Sequence, residues 1–227
     1  TACRSRPEWP RPINWRLTAA EQWPMLQESA PAVLVVDAPF VQPRRDLGRA
    51  LPDTCLLALN APAEGGWLSY EALLAGTSLP GPRPGPDPLE RNLLLCYTSG
   101  TSGKPKGVML SQRAVLANAL CSIELHGMCA DDVILTTLPL FHVGGLNNQT
   151  TPALYAGASV LLHPKFEVDA VFDAIELQGA TLTVLVPAQL AVMMAHPRWT
   201  SADFSRLRMI TTGSTIVPEH VTRAVHA

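Results

Sequence analysis

The chain has 227 residues, of which 47% are hydrophobic and 16% are charged. This is enough apolar material for one large core or two smaller ones. Its formal net charge of −2, with no long basic run, disfavours nucleic acid or an anionic membrane as a partner. No apolar run approaches the roughly 20 residues that a membrane helix needs, and the N-terminus lacks a signal-peptide pattern. The five cysteines have no C-x-x-C spacing, which is typical of reduced thiols in a cytoplasmic protein.

The first part of the chain, residues 1–79, reads as a partial α/β subdomain with an irregular N-terminus. Thr18 and Glu21 have the spacing of a capping box, which predicts a helix that begins there and runs to Glu28. Residues 80–88 are rich in Pro and Gly and predict a linker, because proline neither continues a helix nor donates to a sheet.

Residues 89–227 alternate apolar β-branched runs with helical patterns. The predicted strands of the whole chain cover residues 33–37, 56–59, 92–98, 133–138, 159–163, 181–186 and 207–212. The predicted helices of this second part cover residues 111–126, the stretch from 145 to 157, residues 168–178 with Gly179 as C-terminal cap, and a helix that begins at Pro187. Alternation of this kind predicts an α/β fold with a mostly parallel sheet and helices on both of its faces.

A loop rich in Gly, Ser, Thr and Lys follows the strand predicted at 92–98. Its candidate phosphate-binding residues are Thr98, Ser99, Gly100, Thr101, Ser102, Gly103, Lys104 and Lys106. Glycines let backbone N–H groups approach an anion, while the hydroxyls add donors and the lysines add charge. The loop is not a Walker A motif, because Thr98 replaces its first glycine and Pro105 follows Lys104. A flexible Ser/Gly surface loop is the alternative, but two lysines around a proline after a buried strand favour phosphate binding.

The run from Tyr97 to Gly107, YTSGTSGKPKG, resembles the signature of the adenylate-forming superfamily. That superfamily includes acyl-CoA synthetases, luciferases and the adenylation domains of peptide synthetases. The resemblance implies that the loop holds the ATP phosphates and that the Thr98 hydroxyl lies near Mg²⁺. It also implies that the chain is part of the large N-terminal domain of such an enzyme.

A second motif, LPLFHVGG, ends a predicted strand at residues 138–145. A histidine beside a glycine pair can donate a hydrogen bond or carry charge, although a lone histidine more often caps a turn or fills a core. The segment resembles the family motif whose aromatic–His pair lines the acyl pocket near the reacting carboxylate, which makes His142 the candidate catalytic residue. Peptide-synthetase domains tend to have Phe-Asp at this place, so Phe141 and His142 favour an acyl- or aryl-CoA synthetase.

A third motif follows the last predicted strand, at residues 211–218. A strand that ends in a Gly-Ser turn is common by itself, but this one resembles the adenine-contacting turn of the family. Gly213, Ser214 and Thr215 are therefore candidate ATP-binding residues. Ser214 and Thr215 depart from the usual family sequence, which leaves backbone contacts as the expected ones. The pair Asp131 and Asp132 is expected to lie in a solvated turn, without a chemical role.

The resemblance implies a reaction in which a carboxylic acid and ATP, with Mg²⁺, give an acyl-adenylate and pyrophosphate, after which coenzyme A forms the thioester. The family's later elements have no match before Ala227: a magnesium-binding Glu, a ribose-binding Asp, and a mobile C-terminal domain with a catalytic Lys. We therefore expect a fragment that is inactive by itself.

Apolar residues around Leu146 and at 185–190 predict a fatty or aromatic acid as substrate. The low charged fraction predicts an apolar surface and self-association, for example as a homodimer. Two other functions stay open: a peptide-synthetase-type adenylation domain, and a non-catalytic nucleotide-binding module.

Overall fold

The computed structural model describes residues 10–76, 88–98, 105–213, 215–219, 221 and 223. The chain divides into two compact units. The first unit comprises Thr1–Pro88 and Tyr97–Met109, and the second comprises Leu89–Cys96 and Leu110–Ala227. The division into residues 1–79, a linker at 80–88 and residues 89–227 remains a prediction, since only Pro88 of that linker is described.

Short helices and short strands alternate through the described residues. The α-helices are α1 (Ala19–Ser29), α2 (Ala38–Val41), α3 (Arg45–Ala50), α4 (Tyr70–Ala75), α5 (Gln112–His126), α6 (Val143–Gly145), α7 (Thr151–Ala156), α8 (Val168–Glu176) and α9 (Pro187–Ala195). The strands are β1 (Val33–Asp37), β2 (Cys55–Leu59), β3 (Leu68–Ser69), β4 (Asn92–Thr98), β5 (Lys106–Ser111), β6 (Val133–Thr136), β7 (Ser159–Leu162), β8 (Leu182–Leu185) and β9 (Met209–Thr212). Short 3₁₀ helices cover Gln42–Arg44, Pro88–Glu90 and Pro197–Thr200, and a π-helix covers Leu146–Thr150.

In the first unit, β1, β2 and β3 form a parallel sheet in that order. Helix α1 begins as its capping box predicts. Glu21 N–H donates to Thr18 Oγ1 at 3.3 Å, and Thr18 N–H donates to Glu21 Oε2 at 2.8 Å. These two reciprocal bonds satisfy donors that the first helical turn leaves open, so the sequence signal and the observed helix start coincide.

In the second unit, four parallel strands lie in the order β7-β6-β8-β9. Successive side chains of β6 point to opposite faces of the sheet. Ile134 packs in a cluster with Ala153 of α7, whereas Leu135 packs in a cluster with Phe172 of α8 and Met193 of α9. Helices therefore cover both faces, and the predicted α/β fold with mostly parallel strands is confirmed.

Several boundaries differ from the sequence-based expectations. The loop after Thr98 was expected to lead directly into a helix, but β5 lies between them and pairs with β4 in a separate two-stranded sheet. The strand expected at 133–138 ends at Thr136, three residues before Pro139. Helix α8 ends at Glu176, and Gly179 adopts a left-handed φ of +72° three residues later. Among the described residues, no helix is long and apolar enough to cross a membrane.

Candidate functional site

The described ends of the phosphate-loop candidate are held together by two paired strands. Thr98 is the last residue of β4 and Lys106 the first of β5, and Thr98 Oγ1 donates to the Lys106 carbonyl at 3.4 Å. Both side chains are exposed. The remaining loop candidates, namely Ser99, Gly100, Thr101, Ser102, Gly103 and Lys104, lie outside the described residues. Their role in phosphate binding therefore stays a prediction.

His142 lies in the second unit, just before α6, and its side chain is exposed. Its Nδ1 accepts a hydrogen bond from the Gly144 N–H at 3.0 Å. In neutral histidine an accepting Nδ1 leaves the proton on Nε2, which can therefore donate to another group. The same side chain thus caps a turn and offers a donor, so the capping interpretation and the catalytic one do not exclude each other.

The glycine pair after His142 allows a close approach of two backbone segments. A Cβ atom added to Gly145 would lie 2.5 Å from the carbonyl oxygens of both Leu138 and Pro139. At Gly144 the nearest contact would be the His142 Nδ1 at 3.1 Å, in a side chain that can move. Gly145 is therefore the position at which the turn demands glycine.

The chain continues from Gly145 into the π-helix, whose wider turn is an uncommon feature found often at functional sites. Four successive carbonyls at this turn accept hydrogen bonds from side chains. These are Gly145 from Thr150 Oγ1 at 2.6 Å, Leu146 from Thr151 Oγ1 at 2.9 Å, Asn147 from Asn118 Nδ2 at 2.6 Å, and Asn148 from Ser122 Oγ. Two of these donors belong to α5, which therefore holds the π-helix in place.

The π-helix brings Gln149 to the carboxyl edge of the four-stranded sheet. Gln149 is 1% exposed, and its Nε2 donates to Thr211 Oγ1 of β9 at 3.3 Å. This bond joins the segment after β6 to the end of β9, because parallel strands place their carboxyl ends at one edge. The structure thus brings the His142 motif close to the beginning of the third motif. Within that motif, Gly213 is partly buried, Thr215 is exposed, and Ser214 lies outside the described residues.

Three buried oxygens at this edge have no hydrogen-bond partner among the described residues. They are Thr137 Oγ1, Gln149 Oε1 and Thr212 Oγ1. Gln149 was not among the candidates predicted from the sequence. Its only signal was its place in the polar run 147–151, close behind the glycine pair.

The amino-terminal edge of the same sheet is held by an ion pair. Arg208 donates from Nη2 to Asp132 Oδ2 at 2.6 Å and from Nε to Oδ1 at 3.0 Å, while Thr181 Oγ1 donates to the same Oδ1 at 2.7 Å. The hydrogen bonds from Arg208 hold the pKa of the Asp132 carboxyl well below its usual range. The expectation that Asp132 is a solvated turn residue was therefore wrong, because its side chain is only 5% exposed.

Within the described ranges, no group of three or more His, Cys, Asp or Glu side chains could hold a metal ion. The placement of Mg²⁺ near Thr98 accordingly stays a prediction.

Comparison with known proteins agrees with these motifs. The profile of the family described as AMP-binding enzyme matches residues 10–227. An indoleacetate–CoA ligase from Aromatoleum aromaticum is 60% identical over 218 residues, which are 95% of this chain and 42% of that protein. A feruloyl-CoA synthase from an Amycolatopsis species is 39% identical over 125 residues, which are 55% of this chain and 26% of that protein. The chain thus spans less than half the length of these relatives.

Solved structures show the same fold. The anthranilate CoA ligase AuaEII in complex with anthranoyl-AMP superposes with a TM-score of 0.82 at 24% identity, over 93% of this chain and 42% of that one. ATP-bound MatB from Rhodopseudomonas palustris gives a TM-score of 0.78 at 25% identity, over 93% of this chain and 41% of that one. With the family profile matched along almost its whole length, the chain belongs to the AMP-binding enzyme family.

Proposed function

We propose that the chain is part of an ATP-dependent, AMP-forming acid–CoA ligase that activates an aromatic acid such as an arylacetate. The carboxylate attacks the α-phosphate of ATP to give an acyl-adenylate and pyrophosphate, and the thiol of coenzyme A then displaces AMP to give the thioester. The observation that carries this proposal is the 60% identity to an indoleacetate–CoA ligase over 95% of the chain.

Aromatic acids are favoured over fatty acids because similar relatives are named for them. These relatives act on indoleacetate and ferulate, and the structural neighbour is named for anthranilate. A ligase for fatty acids and acyl-carrier protein is more distant, at 32% identity over 92% of the chain. Indoleacetate is therefore the first acid to test.

In this proposal the phosphate loop and Thr98 stabilise the charge of the ATP phosphates. Loop donors and the two lysines would bind the ATP phosphates, which is stabilisation by fixed charges and dipoles. Thr98 fits a magnesium site in its chemistry, because its hydroxyl donates to the Lys106 carbonyl and keeps its oxygen lone pairs for a hard cation. When bound there, Mg²⁺ would neutralise phosphate charge.

His142 is proposed to bind the acid carboxylate through Nε2. We expect His142→Ala to lower kcat/KM for adenylate formation by about 10- to 100-fold, the size of a lost hydrogen bond to a charged group. His142→Asn is the matched variant, since an asparagine side chain can still accept from Gly144 N–H as a cap but lacks the reach of Nε2. An equal loss of activity in both variants supports the donor role. Full activity of His142→Asn would leave His142 only its capping role.

The proposal is tested with the protein encoded by the complete reading frame. Pyrophosphate release and thioester formation are measured with ATP, coenzyme A and a panel of indole-3-acetate, phenylacetate, hexanoate and amino acids. We expect turnover with the aromatic acids and little with hexanoate. Adenylation of an amino acid without thioester formation from coenzyme A would support the peptide-synthetase alternative. Nucleotide binding with no turnover of any acid would support the non-catalytic module.

A further inference from the structure

A small cavity lies at the carboxyl edge of the second unit's sheet, immediately beside the His142 turn. Its lining combines apolar and glycine surfaces, including those of Leu138, Gly144, Gly145 and Val184, with three polar side chains, those of Thr136, Thr137 and Gln149. Thr137 is 5% exposed and Gln149 is 1% exposed. The cavity wall thus combines apolar surface with a small number of hydrogen-bonding side chains, as small-molecule sites commonly do.

Two of these three side chains present an oxygen without a partner among the described residues, namely Thr137 Oγ1 and Gln149 Oε1, whereas Thr136 Oγ1 is paired with Thr150 Oγ1 at 2.8 Å. Buried polar atoms are nearly always hydrogen-bonded, so an unpaired one calls for a partner. In Gln149 the amide nitrogen is already used by Thr211 Oγ1 at 3.3 Å. The oxygen is thus the end of the amide left for a ligand, and it can only accept a hydrogen bond.

Gln149 is also held rigidly. It belongs to the π-helix, whose carbonyls at Asn147 and Asn148 receive hydrogen bonds from Asn118 and Ser122 of α5. A recognition group fixed in this way loses little entropy when a ligand binds. The backbone around Gln149 is thus built to keep one acceptor in one place.

We propose that Gln149 determines substrate specificity, its Oε1 accepting a hydrogen bond from an N–H group on the aromatic ring of the acid. This inference rests on the proposed function, and it names the substrate class as a heteroaromatic acid with a ring donor. An indole ring offers one donor and no acceptor. That donor matches Gln149 Oε1, which can only accept, whereas the Thr137 hydroxyl can rotate to donate or accept and therefore selects less strongly between ligands. A site built to bind a ring N–H discriminates against an analogue that lacks it, because the buried acceptor is then left unpaired.

The test compares two acids of nearly equal shape in the complete protein: indole-3-acetate, and benzothiophene-3-acetate, in which sulfur replaces the N–H. We expect the wild type to prefer indole-3-acetate by about tenfold in kcat/KM. Gln149→Met keeps the length of the side chain and removes the acceptor. This substitution is expected to lower kcat/KM for indole-3-acetate to the value measured for the sulfur analogue. The value for the sulfur analogue itself should change by less than about twofold.

Three further measurements make the outcome decisive. Gln149→Leu repeats the change with another apolar side chain in case the methionine variant folds poorly. Gln178→Met makes the same substitution at an exposed position and is expected to leave kcat/KM for both acids unchanged. Benzofuran-3-acetate, whose ring oxygen only accepts, is expected to react no better than the sulfur analogue.

The inference is overturned if the wild type has equal kcat/KM for the indole and the sulfur acid. It is also overturned if Gln149→Met lowers kcat/KM for both acids by the same factor, as the loss of a bridging water or of packing would. A preference for the benzofuran acid also overturns it, since the amide nitrogen would then face the ligand. In each of these cases the protein still turns over the acids, so the proposed ligase function is not contradicted. Absence of turnover with every acid overturns the proposed function and this inference together.

Discussion

Gly145→Ala is expected to destabilise the protein by about 3 kcal/mol, the upper end of the usual cost of overpacking. The added Cβ would lie 2.5 Å from two carbonyl oxygens, those of Leu138 and Pro139. Both are backbone atoms, so no side-chain rotation can relieve the contact. The turn that places His142 and the π-helix would have to move as a whole, and adenylation should fall with stability.

Two other glycines give a graded control for this prediction. Gly144→Ala would contact mainly the His142 side chain at 3.1 Å, and Gly213→Ala would meet nothing within 4 Å. We expect an intermediate loss at Gly144 and a change within about 0.5 kcal/mol at Gly213. The measurement is the urea midpoint of each variant, followed by circular dichroism. Equal midpoints for Gly145→Ala and Gly213→Ala would contradict the close-approach argument.

Arg208→Ala is expected to cost about 3 kcal/mol, because it leaves a buried carboxylate without its counter-charge. Asp132 is 5% exposed on its side chain, whereas Arg208 is 38% exposed, so the uncompensated charge remains in the interior. The variant also removes the donor to the His126 carbonyl at 2.7 Å. Arg208→Lys keeps the charge but loses the two-pronged geometry and should recover only part of the stability.

The effect of Arg208→Ala should depend on pH with a defined sign. The pKa of Asp132 is lowered in the folded protein, so its ionised form contributes stability above its unfolded pKa of about 4. That contribution is lost as pH falls below about 4 toward the folded pKa, and the gap between wild type and Arg208→Ala should narrow there. Arg206→Ala, at an exposed neighbouring arginine, serves as the control with little change. A pH-independent gap between wild type and Arg208→Ala would refute the ion-pair account.

Strands of continuous apolar residues and capped helices were the most predictable parts of the fold. The strands at Val33–Asp37 and Asn92–Thr98 have the predicted bounds. Short, continuous apolar runs of this length are typical of strands. Helix α5 begins after Ser111, whose Oγ accepts from Ala114 N–H at 3.2 Å, and ends at Gly127 in the left-handed conformation. Such caps are local, and a single sequence shows them.

Features that depend on distant partners could not be predicted. Strand β5 has largely exposed side chains and forms because β4 provides a partner edge. The π-helix depends on Asn118 and Ser122, which lie 29 and 26 residues before the carbonyls they bind. Gln149 lies in this π-helix and also contacts Thr211, so its burial involves partners that are distant in sequence. The polar run 147–151 shows no sign of which side chain faces the cavity.

Sequence and structure contribute different parts of the candidate site. His142 became a candidate through its motif, and the structure adds that its Nδ1 accepts a hydrogen bond from the Gly144 N–H. Asp132 was misjudged because a pair of aspartates in a turn has no local signal for an arginine 76 residues away. Thr98 and Lys106 became candidates through the composition of their loop, and the structure adds the hydrogen bond from the Thr98 hydroxyl to the Lys106 carbonyl.

The strand order β7-β6-β8-β9 has a consequence for the kinetics of folding. β6 reaches β7 through the helical segments from α6 to α7, and β8 reaches β9 through α9 and the 3₁₀ helix that follows it. The central pairing of β6 with β8 instead joins residues 48 apart, as between Thr183 Oγ1 and the Leu135 carbonyl. Loop-closure entropy rises with length, so the two outer pairs should form before the central one. Thr183→Val should then speed unfolding and leave the refolding rate nearly unchanged in stopped-flow measurements, and slower refolding would place the central pair in the nucleus. The cavity beside Gln149, which has Leu135 and Val184 in its wall, would be among the last features to be completed.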